Sequence, residues 1–366
     1  MTVLRRNVLK SLAAASVGLP LAAPAVAQSA PKVTWKLTSS FPKSLDLIYG
    51  AALSLAQRVN EASDGQFVIE VHPPGEIASA LEALDAVKSG KADLGHTALS
   101  YYWGKDPAFA FGTGVPFGMN ARLTNSWFYE GGGNEAINEF LGDYGVTALP
   151  LGNTGAQMGG WFRREVKTAA DFKGLKVRSG GFTGTLFKAL GAVPDATPMA
   201  SMPAALKSGA LDAVEFVSPY DDEKLSIAKL APYYYYPGWW QGASAQHLVI
   251  NLAQWNALPK AYRALLTSAA AEINGQVLAL YDARNPAALR RLVASGSNLQ
   301  GFSADITEAA YKAAQEIFAQ ASKSNEKFRK LHDNYNAFRN DGYLWWQVCE
   351  YTYDNFIIRQ RAREAI

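Results

Sequence analysis

Few groups of residues in this chain have the types and spacing to do chemistry. Ser40-Phe-Pro-Lys43 has Ser-x-x-Lys spacing, which on one helical face brings an amine to a serine hydroxyl and would suit acyl transfer. Ser63-Asp64 and Lys207-Ser-Gly209 echo the companion motifs of such enzymes. Against this, Pro42 falls inside the turn that should carry the pair. The two echoes also read more simply as a helix stop and a helix cap. An exported serine hydrolase or acyl transferase using Ser40 and Lys43 is therefore the weaker reading. There is no Gly-x-Ser-x-Gly elbow, no His-Glu-x-x-His pair and no phosphate-cradling glycine loop. The four histidines, His72, His96, His247 and His332, share no zinc-like spacing. The single cysteine, Cys349, can form no intrachain disulfide. His96, at an expected strand end, reads as structural.

A different chemistry is offered by Asp171-Phe-Lys-Gly-Leu-Lys-Val-Arg178-Ser-Gly-Gly181. Leu175 and Val177 alternate with Lys176 and Arg178, the period of a short strand. Phe182, Leu186 and Leu190 then open a helical pattern. Ligands of open α/β sheets bind outside the carboxyl ends of strands, near helix N-termini. Arg178 stands at such an end, and its planar fork of donors suits a carboxylate or phosphate. A surface ion pair is the bland alternative.

The elements that must position Arg178 follow an α/β pattern. Val33 to Ser39 reads as a first strand. A helix with apolar positions at Ile48, Ala52, Leu55 and Val59 stops at Asp64-Gly65. Phe67 to His72 is a second strand. Helix and strand alternate onward, which favours parallel pairing. One internal echo stands out: Val87-Lys-Ser-Gly90-Lys-Ala-Asp93 recurs as Leu206-Lys-Ser-Gly209-Ala-Leu-Asp212. Gly90 and Gly209 fall where a helix end needs positive φ. Two lobes are expected, each using this helix-to-strand device, with His96-Thr97 of one matching Glu215-Phe216 of the other. Crossings between lobes are expected at Gly152 to Gly155 and at Pro237-Gly238 with Gly242.

The resulting division is 28–155 with 242–281 as one lobe, 156–241 with 282–303 as the other, and a helical segment 304–366, broken at Gly342. That tail is rich in rings, among them Tyr335, Phe338, Tyr343, Trp345, Trp346, Tyr351, Tyr353 and Phe356. It must cover its own lobes or a second copy. Two further aromatic clusters, Tyr101-Tyr102-Trp103 and Tyr233–Tyr236 with Trp239 and Trp240, could be core or pocket wall.

Residues 1–27 read as an export signal. Arg5, Arg6 and Lys10 precede a short apolar run, and Ala25-Val26-Ala27 has cleavage spacing. The paired arginines look like a twin-arginine signal. Without this leader the chain keeps 32 basic and 32 acidic residues. That balance argues against nucleic acid as a partner. No apolar run beyond the leader is long enough to span a bilayer.

Several motifs together resemble the periplasmic solute-binding proteins of TRAP transporters, of DctP type. They are Asn153-Thr-Gly-Ala-Gln157-Met-Gly-Gly-Trp-Phe162, Gly174-Leu-Lys-Val-Arg178, Leu211-Asp-Ala-Val-Glu215 and Pro219-Tyr-Asp-Asp-Glu223. Pro232-Tyr-Tyr-Tyr-Tyr-Pro-Gly-Trp-Trp240 resembles the branch that binds α-keto acids, with lactate in relatives. The likeness runs from about Val33 into the C-terminal helices. It implies a two-lobed α/β fold with a central ligand cleft, long C-terminal helices, periplasmic location, no enzymatic activity and delivery to TRAP membrane subunits. It implies a ligand site of Arg178, Gln157, Phe216, Tyr101 and Asn153, with Arg178 forking onto the carboxylate of a small 2-oxo or 2-hydroxy monocarboxylate. It implies a sodium ion, calcium being the alternative, bound with the ligand by Gln157, Glu215, the Phe216 carbonyl and Gln241. Hard oxygen donors such as these suit an alkali or alkaline-earth ion. Phe216 stands where the branch carries tryptophan, Gln241 where it carries an acid, and Ser100 where relatives carry tyrosine. Dimerisation through long C-terminal helices, as in some relatives, implies a homodimer.

Overall fold

The computed structural model describes residues 31–364; the expected export signal lies outside them. The strands are β1 (Val33–Ser39), β2 (Phe67–His72), β3 (Leu94–Thr97), β4 (Val146–Asn153), β5 (Gly160–Phe162), β6 (Lys176–Arg178), β7 (Val193–Asp195), β8 (Ala213–Val214), β9 (Tyr233–Tyr236), β10 (Ala245–Asn251) and β11 (Asn298–Gly301). The first helices are α1 (Asp46–Ala62), α2 (Ala83–Lys88), α3 (Ala121–Glu130), α4 (Gly133–Gly142), α5 (Gly181–Ala189), α6 (Met202–Ser208), α7 (Pro219–Asp222) and α8 (Leu252–Ala257). Then come α9 (Lys260–Ala294), α10 (Ala304–Ser324), α11 (Glu326–Trp346) and α12 (Thr352–Glu364).

The strands form a five-stranded sheet, β2-β1-β3-β10-β4, and a six-stranded sheet, β11-β9-β5-β8-β6-β7. Pairing is not uniformly parallel, contrary to the expectation from alternation. In the first sheet only β10 is reversed, against β3 and β4; in the second only β5, against β8 and β9. The reason is connectivity. β4 leaves the first sheet at Asn153, and the next strand, β5, belongs to the second; β9 leaves the second at Tyr236, and the next, β10, belongs to the first. Each reversed strand is the one the chain enters just after such a crossing, so it comes into its new sheet from the end where its neighbours finish. The crossings run side by side, with Thr154 N–H donating to the Ser244 carbonyl at 3.0 Å.

The repeated device is the same physical object twice. Gly90 and Gly209 have φ of 75° and 78°. The Asp93 carboxylate accepts the Lys36 N–H at 2.8 Å, and the Asp212 carboxylate accepts the Lys176 N–H at 3.0 Å. Each aspartate's own N–H returns to that lysine's carbonyl, at 3.0 and 2.8 Å. The acid thus locks the incoming strand to its parallel neighbour at the point where β3 and β8 begin.

Ile48, Ala52, Leu55 and Val59 of α1 are buried, and with α9 they cover the first sheet through Leu37, Phe67, Leu151, Leu266 and Ile273. In the second sheet Trp161, Val214 and Tyr234 pack on Leu206 of α6 and on Leu292 of α9. The C-terminal helices join both halves: Phe318 of α10 meets Phe182 of α5, and Phe328 of α11 meets Phe111. Gly342 does not break the tail. It lies inside α11, where a Cβ would come within 2.9 Å of the Leu123 side chain, so the glycine permits close approach to α3. The break is instead a wide helical turn over Gln347–Tyr351. Among the described residues no helix is long and apolar enough to cross a membrane.

Candidate functional site

Arg178 ends β6, as its spacing predicts, and its backbone register against Val214 places it beside the end of β8. Its Nε donates to the Thr197 carbonyl at 3.3 Å and its Nη1 to the Glu215 carbonyl at 3.1 Å. The Glu215 carboxylate lies 4.0 Å from Nη1, with the two side chains 27% and 13% exposed. The guanidinium also stands 5.9 Å from the centre of the Phe216 ring. Glu215 is raised to about 7: burial disfavours its charge, while Arg178, then Ser179 and the Trp240 indole, oppose that effect.

Gln157 lies on the adjacent stretch of chain. Met158 N–H donates to the Val217 carbonyl at 3.0 Å, which sets Gln157 alongside the segment after Glu215. The Gln157 amide is buried; its nitrogen reaches Thr154 at 3.5 Å, and its carbonyl oxygen has no partner among the described residues. A buried acceptor without a donor costs about 1–3 kcal/mol. An ion-bound carbonyl would remove that cost. The donor set fits a hard cation: one carboxylate, one orphaned amide oxygen and backbone carbonyls. Among the described residues no group of three or more His, Cys, Asp or Glu side chains gathers as a metal site.

Tyr101 approaches from the first sheet's half. Its ring is 43% exposed, yet its hydroxyl is pushed up to about 12 by loss of water, with the Arg178 charge acting against this and Glu215 adding to it. It therefore stands within electrostatic reach of both. Asn153 is placed differently: its carbonyl oxygen accepts the Gly155 N–H at 3.0 Å, and its amide faces Asn125 at 3.4 Å. It braces the first crossing. Gln241 packs its Cγ near Gly114, and no contact among the described residues joins its side chain to Gln157 or Glu215.

Asp222, unremarked in the sequence except as part of a motif, anchors the loop carrying Glu215 and Phe216. It accepts from Val217 N–H at 3.1 Å, Tyr234 hydroxyl at 2.7 Å and Trp161 indole at 3.3 Å. Its neighbours across the halves form a second link: Lys224 and Tyr220 both bond Asp46 at the start of α1. A third is the stack of Trp103 on Phe182, with ring centres 4.3 Å apart.

The acyl-transfer reading finds no site. Ser40 is buried and donates to Thr97 at 2.8 Å, while Lys43 is exposed. His96 and His247 are fully buried and held neutral, each lowered to about 3, chiefly by burial. Of the aromatic clusters, Tyr102, Tyr234, Tyr235, Trp239 and Trp240 are core, and Tyr101 is exposed.

Two halves joined by paired crossings, with a half-buried arginine and oxygen donors beside it, fit a ligand-capturing protein. Comparison with known proteins agrees. The family described as bacterial extracellular solute-binding protein, family 7, matches residues 38–325. A monocarboxylate 2-oxoacid-binding periplasmic protein of Nostoc sp. is 41% identical over 358 residues, 96% of this chain and 98% of that one. A TRAP transporter solute-binding protein of Bordetella bronchiseptica, solved with calcium and picolinate, superposes with TM-score 0.89 at 41% identity, over 91% of this chain and 99% of that one. One from Pseudoalteromonas atlantica, solved with sodium and pyruvate, gives 0.85 at 33% identity, over 88% and 99%. The chain belongs to family 7 of the bacterial extracellular solute-binding proteins. It is an extracytoplasmic binding subunit of the TRAP type, not an enzyme.

Proposed function

We propose that this receptor captures a small 2-oxo monocarboxylate of the pyruvate type, together with a sodium ion, and hands it to TRAP membrane subunits. What supports the reading is the Arg178–Glu215 pair at the ends of β6 and β8, together with a buried Gln157 oxygen that lacks a partner among the described residues and whose neighbour Met158 bonds the segment after Glu215. Arg178 takes the ligand carboxylate. Gln157, Glu215 and the Phe216 carbonyl hold the ion, and Tyr101 closes over the ligand from the other half. Bound there, the ion supplies positive charge to the carboxylate and keto oxygens. A molecule this small offers little surface for burial, so charge-assisted bonds of about 1.5–3 kcal/mol each dominate its recognition.

A single protein carboxylate, Glu215, with neutral donors favours sodium over calcium. Relatives solved with either ion, and the 2-oxoacid-binding name of the Nostoc protein, support the class. Asn153 serves by bracing the crossing. The leader over 1–27 is removed on export to the periplasm, and the two crossings act as hinges between the lobes 28–155 with 242–281 and 156–241 with 282–303. The tail mediates a homodimer.

A thermal-shift panel tests the reading. Pyruvate, longer 2-oxo acids, lactate, succinate, amino acids and sugars are compared with and without sodium or calcium. The 2-oxo acids should give the largest shift, dependent on the ion. A lactate shift larger than pyruvate's moves the assignment to 2-hydroxy acids, and a response to sugars or amino acids alone overturns it.

A further inference from the structure

A second polar cavity, of about 170 Å³, lies outside this cleft, between the 115–118 loop and the facing helices α10 and α11. Its polar lining comes from Tyr311 and Gln315 on α10 and from His332, Asn336, Arg339 and Asn340 on α11. The α11 positions recur at helical spacing and share one face. No Asp or Glu lines the cavity, and Arg339 is its only permanent charge. Among the described residues Arg339 has no carboxylate within ion-pairing distance. Its guanidinium carbon lies 5.7 Å from the centre of the Tyr343 ring, and its Nε is buried with no acceptor.

A buried guanidinium donor without an acceptor is costly, since bonds to charged groups exceed neutral ones. The walls are held firmly. Tyr335 hydroxyl accepts the Met119 N–H at 2.6 Å, and Tyr343 hydroxyl donates to the Gly118 carbonyl at 3.2 Å, so the loop is fastened to α11 on both sides of Arg339. His332 is lowered from its ordinary value, chiefly by burial, and adds no charge near pH 7. The side-chain amides of Gln315 and Asn340 and the Tyr311 hydroxyl offer neutral donors.

We propose that this cavity binds a small oxyanion, phosphate or a short carboxylate, with Arg339 as the anchoring fork. The site is separate from the transport cleft and owes nothing to Arg178.

Isothermal calorimetry of the full mature protein with inorganic phosphate and, separately, acetate tests this at constant ionic strength, with chloride as control. Saturable heat is expected for at least one probe, with a Kd at or below about 1 mM. It should persist in Arg178→Lys and weaken at least tenfold in Arg339→Gln. Arg339→Lys, which keeps the charge and loses the fork, should fall between, and thermal melts confirm that each variant folds. No saturable heat, or heat lost in Arg178→Lys and kept in Arg339→Gln, overturns the proposal.

Discussion

Arg178 and Glu215 hold each other through their backbones before their charges meet. Glu215 N–H donates to the Arg178 carbonyl at 3.0 Å, and Arg178 Nη1 returns to the Glu215 carbonyl at 3.1 Å, leaving the carboxylate 4.0 Å away. With Nε on Thr197, no hydrogen bond among the described residues engages Nη2. The fork is therefore braced on one edge and available on the other. Arg178→Lys keeps the charge and loses this planar edge. Ligand affinity should fall about tenfold or more, some 1.4 kcal/mol, with the melting temperature of the unliganded protein within a few degrees. Calorimetry and a melt check it; unchanged affinity removes Arg178 from the site.

The raised carboxyls give a pH signature with a definite sign. Burial raises Glu215 and Asp222 to about 7 in the fold, from ordinary values of 4.5 and 3.8. Between about pH 4 and 7 the folded chain binds more protons than the unfolded one, so unliganded stability falls as pH rises through that window and levels off above it. The proposed ion site needs Glu215 ionised, and the proposed 2-oxo acid stays ionised throughout. Ion affinity should therefore weaken as pH drops below 7, by up to about tenfold per unit. Melts at pH 5.5 and 8, with and without sodium pyruvate, should show the larger ligand-induced shift at pH 8. Glu215→Gln should remove the difference. Equal shifts in the wild type at both values would sink the role given to Glu215.

What could be read in the residues before folding was local. β1, β2 and the strand ending at Arg178 follow from alternation, and the positive φ of Gly90 and Gly209 from their place after a helix. Lys36 and Lys176, which complete that device, lie far off in sequence. Reversal of β5 and β10 escaped notice because alternation reports which faces are buried, not which way the partner runs. Gly342 looks like a breaker in its own segment, and only the approach of Leu123 explains it. Asp222 sat inside a recognised motif, but its three donors come from Val217, Trp161 and Tyr234, which no spacing connects.

Gly181 bears on closure. It starts α5 with φ of 56°, and a Cβ there would stand 2.9 Å from the Ser100 carbonyl of the other half. Gly180, next to it, has φ of −135° and nothing within 4 Å of such a Cβ. Gly181→Ala adds about 1–2 kcal/mol of left-handed backbone strain and pushes the Ser100 segment away. Ligand affinity should fall several-fold in Gly181→Ala and stay near wild type in Gly180→Ala. Equal affinities for the two variants would show that this approach does not limit binding.

The end of the tail presents apolar groups that its own lobes leave uncovered. Tyr335 is buried and Trp346 is half-buried beside Arg122, but Leu344 and Val348 are 68% and 65% exposed, and Trp345, Tyr353 and Ile358 join them. The Arg122–Glu350 pair links the wide turn to α3. Exposed apolar groups gathered along one stretch of helix call for a covering surface, and a second copy supplies a self-complementary one. Light scattering on the mature protein at tens of micromolar should give the dimer mass. Replacing Leu344, Trp345 and Val348 by serine should give the monomer, with ligand affinity within about twofold of wild type because none of the three touches the cleft. A wild-type monomer at that concentration would rule the dimer out; a dimer surviving the triple substitution would move the interface elsewhere.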